Sequence, residues 1–174
     1  MVADKLGIHD VIALARTCRV TNGVLGRIVY LRAKDSTSIR GRPYFLQAVD
    51  DGNLAAVERF VEAGAALNMT DVVTRLPGTA IHSCAYFGHV EMAVFLIDKG
   101  IDVSAVDYFG RGVIHSVVMG ARPLEAMATL LVEAGADVNG PREWETPLQG
   151  AEWRGDIRMM ARLIDLGACW TPRY

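Results

Sequence analysis

Apolar residues recur along this chain at intervals of three and four, and glycines break the runs at fixed distances. Gly52 and Gly64, Gly88 and Gly100, and Gly155 and Gly167 each stand twelve residues apart and enclose an amphipathic run. Val57, Phe60 and Val61 form the stripe of one run, and Val94, Leu96 and Ile97 that of another. Such spacing places apolar side chains on one face of a helix. Glycine just past the stripe supplies a left-handed residue that ends a helix with little strain, a structural role that fits Gly64, Gly100, Gly135 and Gly167. Thr146 followed by Pro147 reads as a helix start, because the hydroxyl accepts a backbone N–H bond and proline at the first helical position forfeits no needed donor.

The runs are copies of one unit. Reading back from each first glycine gives PYFLQAVDDGN at 43–53, TAIHSCAYFGH at 79–89 and TPLQGAEWRGD at 146–156, with DYFGRGVIHSVVMGA at 107–121 between them. The ending LLVEAGADVN at 130–139 is the cleanest copy of the unit's exit, and His82 and His115 stand 33 positions apart. Those segments resemble the words TPLH, AA, GH and LLEAGADVN of the ankyrin-repeat family, whose period is about 33 residues. The resemblance covers roughly 41–170. It implies an all-α ankyrin-repeat solenoid of paired antiparallel helices with β-hairpin-like fingers, in which no unit buries its stripe alone. Four repeats are expected at about 41–73, 74–106, 107–139 and 140–170, followed by a short tail at 171–174.

Three departures from the pattern mark irregular places. The link from Asn68 to Thr79 is three residues longer than usual, which predicts an extended finger carrying Val72, Val73, Thr74, Arg75 and Leu76. Two extra residues around Arg122 and Pro123 predict a bulged turn in the third unit, where Ala121 replaces the turn glycine. Trp144 takes the place of the fourth finger's glycine.

Residues 1–40 carry no ankyrin word. Ile8, Val11, Ile12, Ala15 and Cys18 recur at helical spacing, and a second helix from Thr21 or Asn22 carries Val24, Leu25, Ile28, Val29 and Leu31. DVIALARTCRVTNGVLGRIVYLR resembles the second half of an F-box, without the leading Leu-Pro helix that supplies much of that family's adaptor contact. The segment reads as an F-box-like remnant serving as an N-terminal helical cap on the stack. An adaptor-docking segment is the other reading, and it would make the chain a substrate-recruiting subunit of a ubiquitin ligase.

Composition narrows the function classes. The 174 residues are 51% hydrophobic and 22% charged, enough for one soluble body with a sizeable core. A formal charge of −2 from 18 basic and 20 acidic residues gives no electrostatic footprint for nucleic acid. No segment reads as a signal peptide or a membrane span, so a cytoplasmic or nuclear location is expected. Cys18, Cys84 and Cys169 form neither a disulfide framework nor a zinc spacing and are expected to be reduced and buried. No cofactor or metal is expected.

The repeat accounts for much of the candidate chemistry. His82 and His115 fall on the histidine of the TPLH word, which the resemblance assigns to hydrogen bonds between adjacent units. Ser83 and Ser116 adjoin those histidines, but helical neighbours diverge by about 100° and cannot form a nucleophile and base pair. FGRGV at 109–113 lacks the lysine and the serine or threonine of a phosphate loop.

What remains is an aromatic stripe at the finger tips and the ends of the first helices, where ankyrin arrays contact partners. Tyr86, Phe87, Tyr108, Phe109, Met119 and Trp153 supply it, with Asp50, Asp51 and Glu152 as flanking acids and Arg111 and Arg142 on the fingers. An apolar centre with a mixed charged rim is the pattern of a protein interface. The expected function is therefore a non-catalytic module that binds a protein or peptide through a concave aromatic face. Two alternatives stay open. The rings pack against the long finger or against a tail folded back through Trp170 and Tyr174, or the groove closes around a small molecule on which Asp50, His115 and Glu152 act as acid or base. Ile157, Met159 and Met160 also predict an incompletely polar end to the stack, to be covered either by the tail or by another subunit, as in a homodimer.

Overall fold

The computed structural model describes residues 43–70, 78–120, 124–141 and 145–170. The F-box-like segment, the long-finger residues 72–76, the bulge at 121–123, Arg142, Trp144 and Tyr174 lie outside the described residues. The chain divides into two compact units, 1–66 and 67–174. Among the described residues the regular structure is α-helical apart from isolated bridge positions, with Val106 and Gly112 forming an antiparallel bridge.

In the first unit, α1 (Tyr44–Asp50) and α2 (Leu54–Glu62) are joined by a tight turn and pack together. Gly52 takes φ 68°, and the Asn53 side chain then caps α2 by accepting a bond from the Ala56 N–H at 3.1 Å. Phe45, Leu46 and Val49 of α1 meet Val57 and Phe60 of α2 in the core, where the Phe45 and Phe60 rings sit edge to face 6.2 Å apart.

The second unit stacks three such pairs. They are α3 (Ala80–Phe87) with α4 (Val90–Asp98), α5 (Val113–Met119) with α6 (Glu125–Glu133), and α7 (Pro147–Trp153) with α8 (Ile157–Asp165). The first helices form one row, α3 against α5 and α5 against α7, and the second helices another, α4 against α6 and α6 against α8. Ile81, Leu96, Ile114, Met127, Leu131, Leu148 and Leu163 are fully buried between the rows. Each such side chain stabilises the stack by about 1.5–3 kcal/mol relative to exposure.

Local chemistry sets the helix ends. Thr146 and Gln149 form a capping box that brackets Pro147, and Asp156 caps α8 through the Met159 N–H at 3.0 Å. The exits use left-handed glycines, with φ between 79° and 102° at Gly64, Gly100, Gly135 and Gly167. The end of α5 differs from the other first helices. Gly120 is not left-handed (φ −59°), and a Cβ there would lie 2.5 Å from the Tyr86 carbonyl oxygen, so its lack of a side chain lets α5 close against the end of α3. Two asparagines, Asn68 and Asn139, each accept a backbone N–H from the following repeat, that of Asp102 at 3.0 Å and that of Cys169 at 2.8 Å.

Three expectations need correction. Cys84 is buried, but Cys169 is exposed, because it follows the last described helix. Met159 is core and only 1% exposed, since it lies on the inner face of α8, whereas Ile157 is outside. Trp170 does not fold back into a core and is 55% exposed.

Candidate functional site

Asp107, the first residue of the DYFGRG finger, organises the local backbone. Its buried carboxylate accepts bonds from the Phe109 N–H at 2.8 Å and the Arg111 N–H at 2.9 Å. The same group accepts from the Arg111 side chain, with Nε at 2.8 Å and Nη2 at 2.7 Å. Five consecutive residues are thereby clamped into a turn, closed by the Asp107 N–H donating to the Arg111 carbonyl at 2.9 Å.

The clamped guanidinium then holds two apolar side chains at the surface. Arg111 Cζ lies 4.9 Å from the centre of the Phe109 ring, and Nη1 stands 3.0 Å from Met119 Sδ. Tyr108 packs edge-on against Phe109 at 5.6 Å between ring centres. Arg154 follows Trp153 and donates to the carbonyls of Met119 at 3.4 Å and Gly120 at 3.3 Å, tying the end of α7 to the end of α5. On α3, Phe87 stands edge-on to Tyr86 at 5.2 Å and is stacked on His89 at 5.8 Å.

These contacts sort the expected residues. Phe109, Arg111 and Met119 are in direct contact, Tyr108 joins through Phe109, and Tyr86 is half-buried beside the more exposed Phe87. Tyr108 is 69% exposed and Trp153 66%, while Phe109 and Met119 are about half exposed. Glu152 is exposed on α7. Asp50 and Asp51 belong to the first unit, at the end of α1. Asp107 and Arg154 were missed by sequence reasoning. Asp107 had a local signal, a carboxylate two and four residues before the N–H groups it accepts, whereas the acceptors of Arg154 are 34 and 35 residues away and left none.

The two histidines sit between helix pairs, on the inner side of the site. His82 accepts the Thr79 N–H at Nδ1 (3.3 Å), which leaves Nε2–H to donate to the Arg111 carbonyl at 3.4 Å. His115 places Nε2 at 2.6 Å from the Glu145 carbonyl and Nδ1 at 3.2 Å from the Gly112 carbonyl. A neutral imidazole carries one N–H, and the shorter contact assigns it to Nε2. With both ring nitrogens on backbone carbonyls and the side chain 7% exposed, His115 presents no proton acceptor to a molecule on the surface. Among the described residues no three His, Cys, Asp or Glu side chains gather as a metal site. No described helix is long and apolar enough to cross a membrane.

Burial pushes both imidazoles below their ordinary value of 6.5, against the opposing pull of Asp107 on His82 and of the Glu145 carbonyl on His115. The folded chain therefore binds these protons less readily than the unfolded chain. Stability is fully present above the unfolded pKa and falls as the pH drops below about 6.5. Chemical denaturation between about pH 7.5 and 5, above the carboxylate range, should show a declining midpoint. His82→Gln should flatten the decline, and an unchanged slope in that variant would exclude His82 as its source.

A family model described as ankyrin repeats (many copies) matches residues 45–97 and 81–131, together spanning α1 through most of α6. A search of curated proteins gave no match to the chain.

Proposed function

The chain belongs to the ankyrin-repeat family, whose repeats are generally protein–protein interaction modules, and from that premise we propose that it binds a protein partner through the aromatic surface of its second unit. The observation that carries this reading is the Asp107–Arg111 clamp, which holds Phe109 and Met119 about half exposed. Holding large apolar groups at the surface forfeits burial energy, so a surface organised in this way is suited to a partner that completes the burial. Its composition agrees, since aromatic, methionine and arginine side chains are enriched at interface centres.

Binding by this surface is shape and charge matching. Tyr108, Phe109 and Trp153 offer apolar area with few rotatable bonds, Met119 adds an adaptable thioether, Arg111 and Arg154 add guanidinium edges, and Glu152 sets a negative charge at the rim. Trp153 and Tyr108 project mostly into solvent, so truncating either should leave the thermal midpoint within a few degrees of the parent. Affinity purification from the native cell with the parent chain, Trp153→Ala and Tyr108→Ala is the test. Proteins retained by the parent and lost from both variants are the expected result. Retention by both variants would remove this surface from the reading, and a large drop in midpoint would assign the rings to the core.

A further inference from the structure

The outer face of α8 carries a pattern that fits a second copy of itself. At ~100° per residue, Met159 and Leu163, both buried, mark the inward direction, and Ala161 points about 180° away from their midpoint. One flank of Ala161 is apolar, with Ile157 at 77% and Ile164 at 55% exposure. The other flank is charged, with Arg158 near the start of the helix and Asp165 at its end, both exposed. Seven residues, ~10.5 Å of helix, separate these two charges, too far for them to pair within one helix. Among the described residues neither forms an ion pair.

The geometry points to a homodimer in which two α8 helices pack antiparallel about a two-fold axis passing between Ala161 and Arg162. A two-fold axis in the plane between the helices and perpendicular to them reverses helix direction but keeps each flank on its own side. Ile157 and Ile164 therefore meet the same residues of the second copy. The charged flanks also meet, and because the direction is reversed, each Arg158 faces an Asp165. A parallel pair fails both conditions, since it sets the apolar flank against the charged one and Arg158 level with Arg158. Ala161 stands at the crossing point, where a small side chain permits the ~8 Å axis separation of close helix packing. Self-complementarity of charge, apolar flank and small residue selects the second copy as occupant. This surface is independent of the finger and first-helix residues of the proposed partner site.

Light scattering or sedimentation of the full chain over a concentration series provides the test. A dimer is expected, and Arg158→Glu or Asp165→Arg alone should weaken it roughly tenfold or more in Kd, with like charges facing across the axis. The doubly reversed chain, R158E with D165R, should regain most of the parent affinity, because both reciprocal pairs are restored with opposite polarity. Ile164→Asp should give a monomer, and Trp153→Ala should leave the dimer intact. A mass that stays monomeric, as it would if another protein or a further segment of chain covered α8, overturns the assignment. So does a dimer insensitive to the single reversals, or one that the double reversal weakens further.

Discussion

Gly140→Ala is expected to lower the melting temperature more than any surface change in this chain. Gly140 has φ 67°, a left-handed conformation that alanine adopts only with strain. Its missing side chain is also where the His115 ring sits, since a Cβ built there falls on His115 Cε1 and 3.0 Å from Nδ1. The ring would have to leave, and with it the 2.6 Å bond to the Glu145 carbonyl that joins the third helix pair to the entry of the fourth. Backbone strain of about 1–3 kcal/mol and an abandoned buried polar contact of about 1–3 kcal/mol combine to about 3 kcal/mol or more. For a chain of this size that is roughly 6–12 °C in melting temperature. A double-mutant cycle with His115→Ala separates the two causes, because removing the ring abolishes the overlap but not the strain. The Gly140→Ala penalty should therefore shrink in the His115→Ala background, and strict additivity would show that the ring does not occupy that space.

Asp107→Ala should cost stability and binding together. The Asp107 side chain is 4% exposed and its carboxylate receives two backbone N–H groups and two guanidinium N–H groups. Its loss strands those donors and frees an arginine that is itself about a quarter exposed, so the expected destabilisation is about 2–3 kcal/mol, below that of a fully buried pair. Binding is expected to weaken as well. Without the clamp Arg111 no longer fixes Phe109 and Met119, and a partner must order them on binding, at about 0.5–1.5 kcal/mol per immobilised side chain. Partner affinity should fall by roughly tenfold, and hydrogen exchange at the Phe109 and Arg111 amides should accelerate while the α5 and α6 cores remain protected. Arg111→Ala should reproduce the loss of affinity with a smaller loss of stability. Parent-like binding by Asp107→Ala would mean that finger order is irrelevant to recognition.

The legible part of this molecule was the part whose causes are local. Thr146, Pro147 and Gln149 specify a helix start within four residues, and the glycines past each apolar run specify its end, so the positions of α7 and of the left-handed glycines followed from spacing. The aromatic candidates were legible as a class, because rings at first-helix ends and fingers are unusual for a solvated array. Their individual exposure was not. Tyr86 and Phe87 are adjacent in sequence, yet one is half-buried, and Met159 and Ile157 stand two residues apart on opposite faces of α8. Arg154 could not be found because the carbonyls it holds become neighbours only when α7 stacks on α5.

The sequence by itself determined the period, the helix pairs, the turn glycines and the all-α class, since each rests on interactions spanning a few residues. It also marked His82 and His115 as the same position of successive units. Only the tertiary structure decided what those histidines touch, because the Arg111 and Glu145 carbonyls lie 29 and 30 residues further on and arrive by stacking. The same holds for the guanidinium bridge from Arg111 to Met119 and for the bare outer face of α8. Helices form from local preference, but which of their side chains stay exposed depends on what the next pair covers.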